Sequence, residues 1–341
     1  MMVPKVMIIL GSGSDIAIAE KSMDIFEKLE IPYSLKIASA HRTPKLVREI
    51  VKRATDAGIE VFIGIAGLAA HLPGAIAAYT PRPVIGVPVD VKTGGIDALD
   101  SCVQMPYPSP IATVGIDRGD NAAILAAQFM GIHDDEIRQK VIKLRDGYVQ
   151  KVYDSNKVVD ELEDKKYLVK DFLSVENLEF SDEEFIEIDK SLIKKDADVA
   201  IIAGRHSDLI TAKKAGATLD RLKISYNIKV VCPIRSNRKF KSYVKSMENS
   251  KIFIGISSNS SQVTGALVGL TDRPVIGVPC ENELGREHML TTVNMPPGVP
   301  VATVGINNGR NAGVLAGEIL SIKDTNIIEL LTKLKDKKIN L

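Results

Sequence analysis

Short runs rich in valine and isoleucine alternate along the first part of the chain with longer stretches in which apolar residues recur every three or four positions. The short runs are apolar on both faces, which is typical of strands buried in a parallel sheet. The longer stretches are typical of amphipathic helices. The predicted strands are KVMIIL, YSLKIA, EVFIGIA, PVIGVPV and IATVGI, and the predicted helices cover about 16–29, about 45–57, the region near Ala75, and NAAILAAQFM.

Strands that alternate with helices predict right-handed βαβ units and a parallel sheet that is covered by helices on both faces. We therefore expect a three-layer αβα domain, and the leading strand order is the flavodoxin-like one. In sheets of this kind, ligands bind beyond the carboxyl ends of the strands. Residues that could carry chemistry should therefore be sought where the strands end.

The chain also repeats itself at long range. RPVIGVP occurs at 82–88 and again at 273–279, and PIATVGIDRGDNAAILAAQ from Pro110 is matched by PVATVGINNGRNAGVLAGE from Pro300. Copies that lie 190 or 191 residues apart indicate two domains of one fold rather than a solenoid of short repeats. We predict a first domain at 1–155, a charged helical connector at 156–196 and a second domain at 197–341.

Composition and charge argue against two classes of partner, nucleic acids and membranes. The chain has 341 residues, of which 45% are apolar, and its 44 Lys and Arg nearly cancel its 43 Asp and Glu. This balance gives no global basic field, so we expect no nucleic-acid partner. The only strongly apolar run near the start, VMIIL, is far too short to span a membrane. The three cysteines form no CxxC pair, and we expect a cytoplasmic protein with no membrane partner.

Glycine-rich and polar segments follow three successive predicted strands. They are GSGSD at 11–15, SAHRTP at 39–44 and AGLAAHLPG at 66–74. Because the carboxyl ends of parallel strands meet at one sheet edge, we expect these segments to come together. Ser12 and Ser14 offer hydroxyl donors at a helix start, and Arg42 offers a planar fork for phosphate or carboxylate. Asp15 suits either a helix cap or the hydroxyls of a ribose.

His41 is the candidate for acid–base chemistry. An imidazole titrates near neutral pH and can accept and donate a proton within one catalytic cycle. His71 could line the same pocket, or it could be a packed or helix-capping residue. The chain contains no HExxH, P-loop or GxSxG motif, which argues against zinc proteolysis, nucleoside triphosphate hydrolysis and serine hydrolase chemistry.

The first copy resembles a known family. GSGSD, SAHRTP, AAHLPG, RPVIGVP, VQMP and NAAILAAQ, in this order and spacing, are similar to the N5-carboxyaminoimidazole ribonucleotide mutases of purine biosynthesis, also called the catalytic subunit of phosphoribosylaminoimidazole carboxylase. The resemblance covers essentially all of the first copy. It implies an isomerase that moves CO2 from the exocyclic nitrogen of an aminoimidazole ribonucleotide to ring carbon C4, with no metal and no cofactor.

The resemblance also implies roles for individual residues. His41 would shuttle the proton that leaves C4, and Ser12, Asp15 and Arg42 would bind the ribose phosphate. Further substrate contacts would come from Ser14, Ser39, Gly67, Leu68, His71 and Leu72, the last four closing over the base and the released CO2. The family usually has a second glycine where this chain has Leu68, so this loop is expected to differ in shape.

The second copy departs from the family pattern. Alignment on RPVIGVP sets Gln262 opposite His71, and a gapped alignment of the earlier loops sets Asn237 opposite His41 and Arg238 opposite Arg42. An amide cannot shuttle a proton near neutral pH, so we expect no mutase site in this copy. A residual phosphate site or a regulatory nucleotide site stays open. Because the family forms octamers, a duplicated chain predicts a homotetramer with a pseudo-octameric arrangement.

Two other functions remain open on the sequence. The protein could be a carboxylase that adds CO2 directly to aminoimidazole ribonucleotide, or a nucleotide-binding or scaffold protein without catalysis. An assay that offers each substrate separately distinguishes the two enzymes, and replacement of His41 distinguishes either from a binding protein.

Overall fold

The computed structural model describes residues 3–92, 94–161, 197–258, 260–281 and 287–339. Most of the predicted connector, residues 162–196, lies outside these described residues. In the first half, a 3-10 turn at Gly13–Asp15 leads into the first helix. The strands are β1 Val6–Leu10, β2 Tyr33–Ile37, β3 Val61–Gly67, β4 Val84–Val89 and β5 Ala112–Thr113. The helices are α1 Ile16–Leu29, α2 Pro44–Asp56, α3 His71–Ala77, α4 Ile96–Val103, α5 Gly119–Met130, α6 Asp135–Ser155 and α7 Lys157–Asp160.

The second half repeats this order, including a 3-10 turn at His206–Asp208 after its first strand. Its strands are β6 Val199–Ala203, β7 Tyr226–Val230, β8 Ile252–Ser257, β9 Val275–Pro279 and β10 Ala302–Thr303. Its helices are α8 Leu209–Arg221, α9 Asn237–Ser246, α10 Gln262–Val268, α11 Glu287–Val293, α12 Gly309–Leu320 and α13 Thr325–Ile339.

The strands of both halves form one ten-stranded sheet in the order β2-β1-β3-β4-β5-β10-β9-β8-β6-β7. Within each half all strands are parallel and follow the predicted flavodoxin-like order, with the first strand between the second and the third. The halves meet where β5 and β10 pair antiparallel, with Thr113 opposite Thr303. The two predicted parallel sheets are therefore one continuous sheet with an approximate two-fold relation at its centre.

Local sequence explains how the elements around the first loops begin and end. Pro44 occupies the first turn of α2, where its missing N–H costs nothing. Helix α1 ends because Glu30 adopts a left-handed conformation with φ of 55°. Helix α6 begins after Asp134, whose side chain accepts a hydrogen bond from the backbone N–H of Ile137 at 3.2 Å. The start of α2 limits the length of the connection that follows β2 at the carboxyl edge of the sheet.

Paired contacts hold the two halves together. The Asn121 side chain, on α5, donates to the carbonyl of Pro296 at 3.0 Å, and Asn311, on α12, donates to the carbonyl of Met105 at 2.9 Å.

Within each half, one helix start lies very close to a neighbouring helix. A Cβ atom on Gly119 would lie 2.1 Å from the carbonyl oxygen of Ile18, and one on Gly309 would lie 2.1 Å from that of Thr211. Glycine is therefore needed at both starts because α5 and α12 approach α1 and α8 so closely.

One buried position differs between the halves. Glu318, on α12, is 1% exposed and pairs with Lys335 at 2.8 Å. At the equivalent place on α5, Gln128 donates to the backbone carbonyl of Asp272 at 3.0 Å. Burial raises the pKa of the Glu318 carboxyl to about 7, although Lys335 opposes this shift. The second half thus carries a titratable group where the first half has a neutral amide.

Candidate functional site

The three predicted loops of the first half lie at the carboxyl edge of the sheet, after β1, β2 and β3. The first two loops touch directly, since Arg42 Nη2 donates to the carbonyl of Gly11 at 3.3 Å. Within the first loop, Ser14 Oγ lies 2.9 Å from both Ser12 Oγ and Asp15 Oδ1. Asp15 itself is buried, whereas Ser14 is exposed. The loop therefore joins a buried carboxylate to hydroxyls that face the solvent.

The second loop is folded by its own hydrogen bonds. Thr43 N donates to the carbonyl of Ser39 at 2.8 Å, and Arg42 N donates to Ser39 Oγ at 3.2 Å. These contacts leave the side chains of His41 and Arg42 exposed. The side chains are thus available to a ligand while the backbone that carries them is fixed.

His41 and His71 come together although 30 residues separate them. Their rings stack with centroids 5.7 Å apart and an angle of 26° between the ring planes. His41 comes from the loop after β2, and His71 opens α3 after β3. Both imidazoles are exposed at the loop edge, so neither is a packed core histidine. The structure therefore brings the candidate proton carrier beside a second imidazole.

The third loop is tight and strained. A Cβ on Gly67 would lie 2.3 Å from Val91 Cγ2, so no larger residue fits there without movement. Leu68 has φ of 56° and Ala70 has φ of 34°, which lie in the left-handed region that favours glycine. This conformation gives a physical reason for the family's glycine at the position of Leu68. Leu68 is half exposed, whereas Leu72 is 2% exposed in the apolar cluster beneath the loop, where its side chain supports the loop.

Strand register corrects the alignment of the second half. Val6 pairs with Tyr33 in β1 and β2, and Val199 pairs with Tyr226 in β6 and β7, so both strands are shifted by 193 residues. Helix α2 begins at Pro44 and α9 at Asn237, which is the same shift.

The residue opposite His41 is therefore Ile234, not Asn237, and the residue opposite Arg42 is Arg235, not Arg238. The gapped alignment was wrong because it matched residue types rather than strand spacing. Gln262 does stand opposite His71, since it opens α10 as His71 opens α3. Both imidazoles of the first site are thus absent from the equivalent positions of the second half. The corrected alignment therefore still gives a reason to expect no mutase site in that half.

The same register identifies residues that sequence reasoning missed. Arg205 stands opposite Ser12, His206 opposite Gly13, and Lys239 opposite Leu46. A count of residues from each strand end would have found them, because the shift is constant from β6 to the start of α9.

Comparison with known proteins identifies the family. The family model described as AIR carboxylase matches residues 5–151 and again 198–340. This chain belongs to the AIR carboxylase family. The AIR carboxylase match falls on both halves, as the internal repeat predicts, and the resemblance stated from the six motifs is confirmed.

Relatives of two lengths share this family. The chain is 68% identical over 340 residues to a probable N5-carboxyaminoimidazole ribonucleotide mutase of Methanobrevibacter smithii, covering 100% of both chains. It is 52% identical over 340 residues to a protein of the same description from Methanothermobacter thermautotrophicus, covering 99% of both. It is also 53% identical over 155 residues to an N5-carboxyaminoimidazole ribonucleotide mutase of Methanocaldococcus jannaschii, covering 46% of this chain and 97% of that one. The AIR carboxylase unit thus occurs singly as well as duplicated.

The described residues contain no cluster of three or more His, Cys, Asp or Glu side chains that could hold a metal ion. In the same part of the chain, no helix is both long enough and apolar enough to cross a membrane. All three cysteines are free thiols.

Proposed function

We propose that the first half converts N5-carboxyaminoimidazole ribonucleotide into 4-carboxy-5-aminoimidazole ribonucleotide, as a step of purine biosynthesis. The single observation that carries this proposal is the stacked pair of His41 and His71 at the loop edge, 5.7 Å apart. It stands beside hydroxyl and guanidinium groups suited to a phosphate. The two full-length relatives are described as probable enzymes of the same activity.

The proposed reaction needs one proton to be moved. The bond between the exocyclic nitrogen and the carboxyl carbon breaks and releases CO2, and the nitrogen gains a proton. Ring carbon C4 then forms a bond to CO2 and loses its own proton. Gain and loss balance, so an imidazole that donates one proton and accepts the other returns to its starting state. We assign this role to His41.

The neighbouring groups have complementary roles in this proposal. Arg42, beside the Gly11 carbonyl, presents a guanidinium to the substrate phosphate, with Ser12 and Ser14 as hydroxyl donors. Asp15 accepts hydrogen bonds from ribose hydroxyls. The strained loop at Gly67 and Leu68, together with His71, would cover the base and exclude water so that CO2 recombines. Ser39 and Leu72 support this arrangement from below.

We also propose that four chains assemble into a homotetramer with a pseudo-octameric arrangement. Several apolar side chains around the first site are unusually exposed, and such a patch is commonly covered in an assembly. They are Ile37 at 55%, Leu46 at 47%, Leu68 at 50%, Val91 at 49% and Ile96 at 42% exposure. Light scattering under native conditions is expected to give the mass of four chains, and a monomer would contradict the proposal.

The cytoplasm is the compartment we assign to this reaction. Free thiols at Cys102, Cys232 and Cys280 suit a reducing environment. The substrate is a small molecule, and the near-neutral net charge of +1 offers no general attraction to nucleic acid.

Separate substrates test the reaction. Purified full-length protein is given N5-carboxyaminoimidazole ribonucleotide without added bicarbonate, or aminoimidazole ribonucleotide with bicarbonate. A mutase turns over the first without delay, whereas a direct carboxylase requires the second. Turnover of only the second substrate would replace the proposal by the carboxylase alternative.

Replacement of His41 tests the site. His41→Asn is expected to lower turnover of the N-carboxylated nucleotide at least about a hundredfold while binding of the nucleotide, measured by calorimetry, survives. Lys52→Asn, on the exposed face of α2, serves as the control and is expected to keep full turnover. Unchanged turnover in His41→Asn would remove the imidazole from the mechanism, and absent turnover in the native chain would favour a binding protein.

A further inference from the structure

The second half contains a cleft at the place that corresponds to the substrate loops of the first. Its volume is about 880 Å³, which is within the usual range for small-molecule sites. The loop after β6, the end of β7 and the start of α9 form its walls. We call it the second-half cleft, and its lining residues are Gly204, Arg205, His206, Lys229, Val230, Val231, Cys232, Arg235, Ser236 and Lys239.

This cleft is more cationic than the equivalent loops of the first half. Lys229 and Arg235 correspond to Lys36 and Arg42, so they repeat cations that the first half already has. Three further basic residues are new. Arg205 replaces Ser12, His206 replaces Gly13 and Lys239 replaces Leu46. The number of permanent cations therefore doubles from two to four.

Among the described residues no salt bridge joins these cations to a carboxylate, and the buried Asp208 carboxylate attracts Arg205 alone. The side chains of Arg205, His206, Arg235 and Lys239 are exposed, while that of Lys229 is half-buried. Four like charges around one concave surface repel each other unless an anion lies between them. A ligand with a single phosphate would leave much of this charge unbalanced, whereas a chain of two or three phosphates would match it.

A buried acid adjoins the cationic surface. Asp208, the counterpart of Asp15, is 2% exposed, and its Oδ2 atom has no hydrogen-bond partner among the described residues. It lines a small cavity that shares Gly204, Arg205, Cys232 and Arg235 with the second-half cleft. A carboxylate oxygen in this position requires a donor, and a ribose hydroxyl is a suitable one. Inorganic tripolyphosphate has no ribose and therefore lacks this hydroxyl.

We propose that the second-half cleft is a non-catalytic site for a nucleoside di- or triphosphate. The four permanent cations hold the phosphate chain, and Asp208 accepts a hydrogen bond from the ribose. Ile234 and Gln262 stand where the first site has its two imidazoles, so the cleft lacks the stacked imidazole pair of the first site, although His206 lines another part of it. The site thus differs from the first one in both the charge of its ligand and the absence of turnover.

Calorimetric titration of the full-length protein tests this site with three probes, ATP, AMP and inorganic tripolyphosphate, without added metal. ATP is expected to bind at least about tenfold more tightly than AMP, because each added phosphate meets a cation. ATP should also bind more tightly than tripolyphosphate, because of the contact with Asp208. Added KCl should weaken the binding of ATP more than the binding of AMP. Equal affinity for ATP and AMP, or for ATP and tripolyphosphate, would overturn the proposal.

Paired variants locate the site. Arg205→Ser with Lys239→Leu restores the first-half residues and is expected to weaken the binding of ATP by about tenfold or more. Lys213→Ser with Lys214→Ser, which removes two exposed cations on α8 outside the cleft, is the charge-matched control and should leave ATP binding unchanged. Ser12→Ala with Arg42→Ala should impair the first site but not ATP binding. Loss of ATP binding in that last variant would place ATP in the first half and overturn the proposal without touching the proposed mutase reaction.

Discussion

The loops after β2 and β7 share a main-chain hydrogen bond but differ in the side chain that they expose. In the first, Thr43 N donates to the carbonyl of Ser39 at 2.8 Å, and in the second, Ser236 N donates to that of Cys232 at 3.0 Å. Yet the exposed residue inside the turn is His41 in one and Ile234 in the other. Main-chain hydrogen bonds maintain the turn, so the solvent-facing side chain is free to change without cost to the fold. Duplication therefore preserved the scaffold while the two sites diverged.

Exchange of the imidazoles is the strongest way to break this contrast. His41→Ile combined with His71→Gln gives the first half the residues of the second, and turnover is expected to fall about a thousandfold, equivalent to about 4 kcal/mol. The melting temperature should change little because both side chains are exposed. The measurement is kcat on the N-carboxylated nucleotide.

The reciprocal exchange sharpens the same comparison. Ile234→His with Gln262→His, introduced into that inactive chain, should restore no turnover. Arg205 still replaces the first-site Ser12, so the substrate would not be seated for proton transfer. Recovered activity would show that the halves differ only in their imidazoles, contrary to the cationic site inferred for the second.

A second prediction concerns contacts that the halves share. Gly119→Ala and Gly309→Ala should each lower the free energy of unfolding by about 3 kcal/mol, because either Cβ would clash with a backbone carbonyl. Urea unfolding measures both. Gly147→Ala, on α6 where nothing lies within 4 Å, is the control and should stabilise the chain by up to about 1 kcal/mol. Tolerance of alanine at either clash site would show that the two helix contacts are not equally tight.

A third prediction concerns pH. The pKa of Glu318 is about 7 in the folded chain and near 4.5 when unfolded, so the folded state holds the extra proton between these values. The free energy of unfolding should therefore fall by about 3 kcal/mol as pH rises from about 4.5 to slightly above 7, and then level off. Glu318→Gln copies Gln128 and should remove this slope in urea unfolding at several pH values. Lys335 would keep its 3.0 Å bond to the carbonyl of Thr80. An unchanged slope would assign it to another group.

The smallest effect is expected in the third loop. Leu68→Gly should raise the free energy of unfolding by about 1 kcal/mol, because it relieves a left-handed conformation at a half-exposed side chain. Ala69→Gly, next to it and without a positive φ, should instead lower stability slightly. Thermal unfolding compares the two, and a loss of stability in Leu68→Gly would mean that its apolar contacts outweigh the strain.

Local patterns predicted much of each half. The helix predicted at about 16–29 is α1 at Ile16–Leu29, and the flavodoxin-like order follows from the alternation of strands and helices. Helix α4 was missed, because it is short and follows the turn residues Gly94 and Gly95. The strand predicted as IATVGI is only Ala112–Thr113, although Val114 and Asp117 still donate to β4 carbonyls.

Long-range features were harder to predict. The meeting of His41 and His71 followed from the rule that parallel strands end at one edge. The antiparallel pairing of β5 with β10 had no local signal, since two residues from each strand carry no periodicity. The cations of the second-half cleft were missed for a different reason, because their positions depend on strand register, which residue similarity does not report.

The single strand pairing at Thr113 and Thr303 affects the ratio in which the two halves occur together. Two separate polypeptides would part on dilution, whereas halves carried on one chain face each other at a constant effective concentration, about millimolar or more. Each chain therefore carries one first-half site and one second-half cleft, and the ratio of the two does not depend on the level of expression.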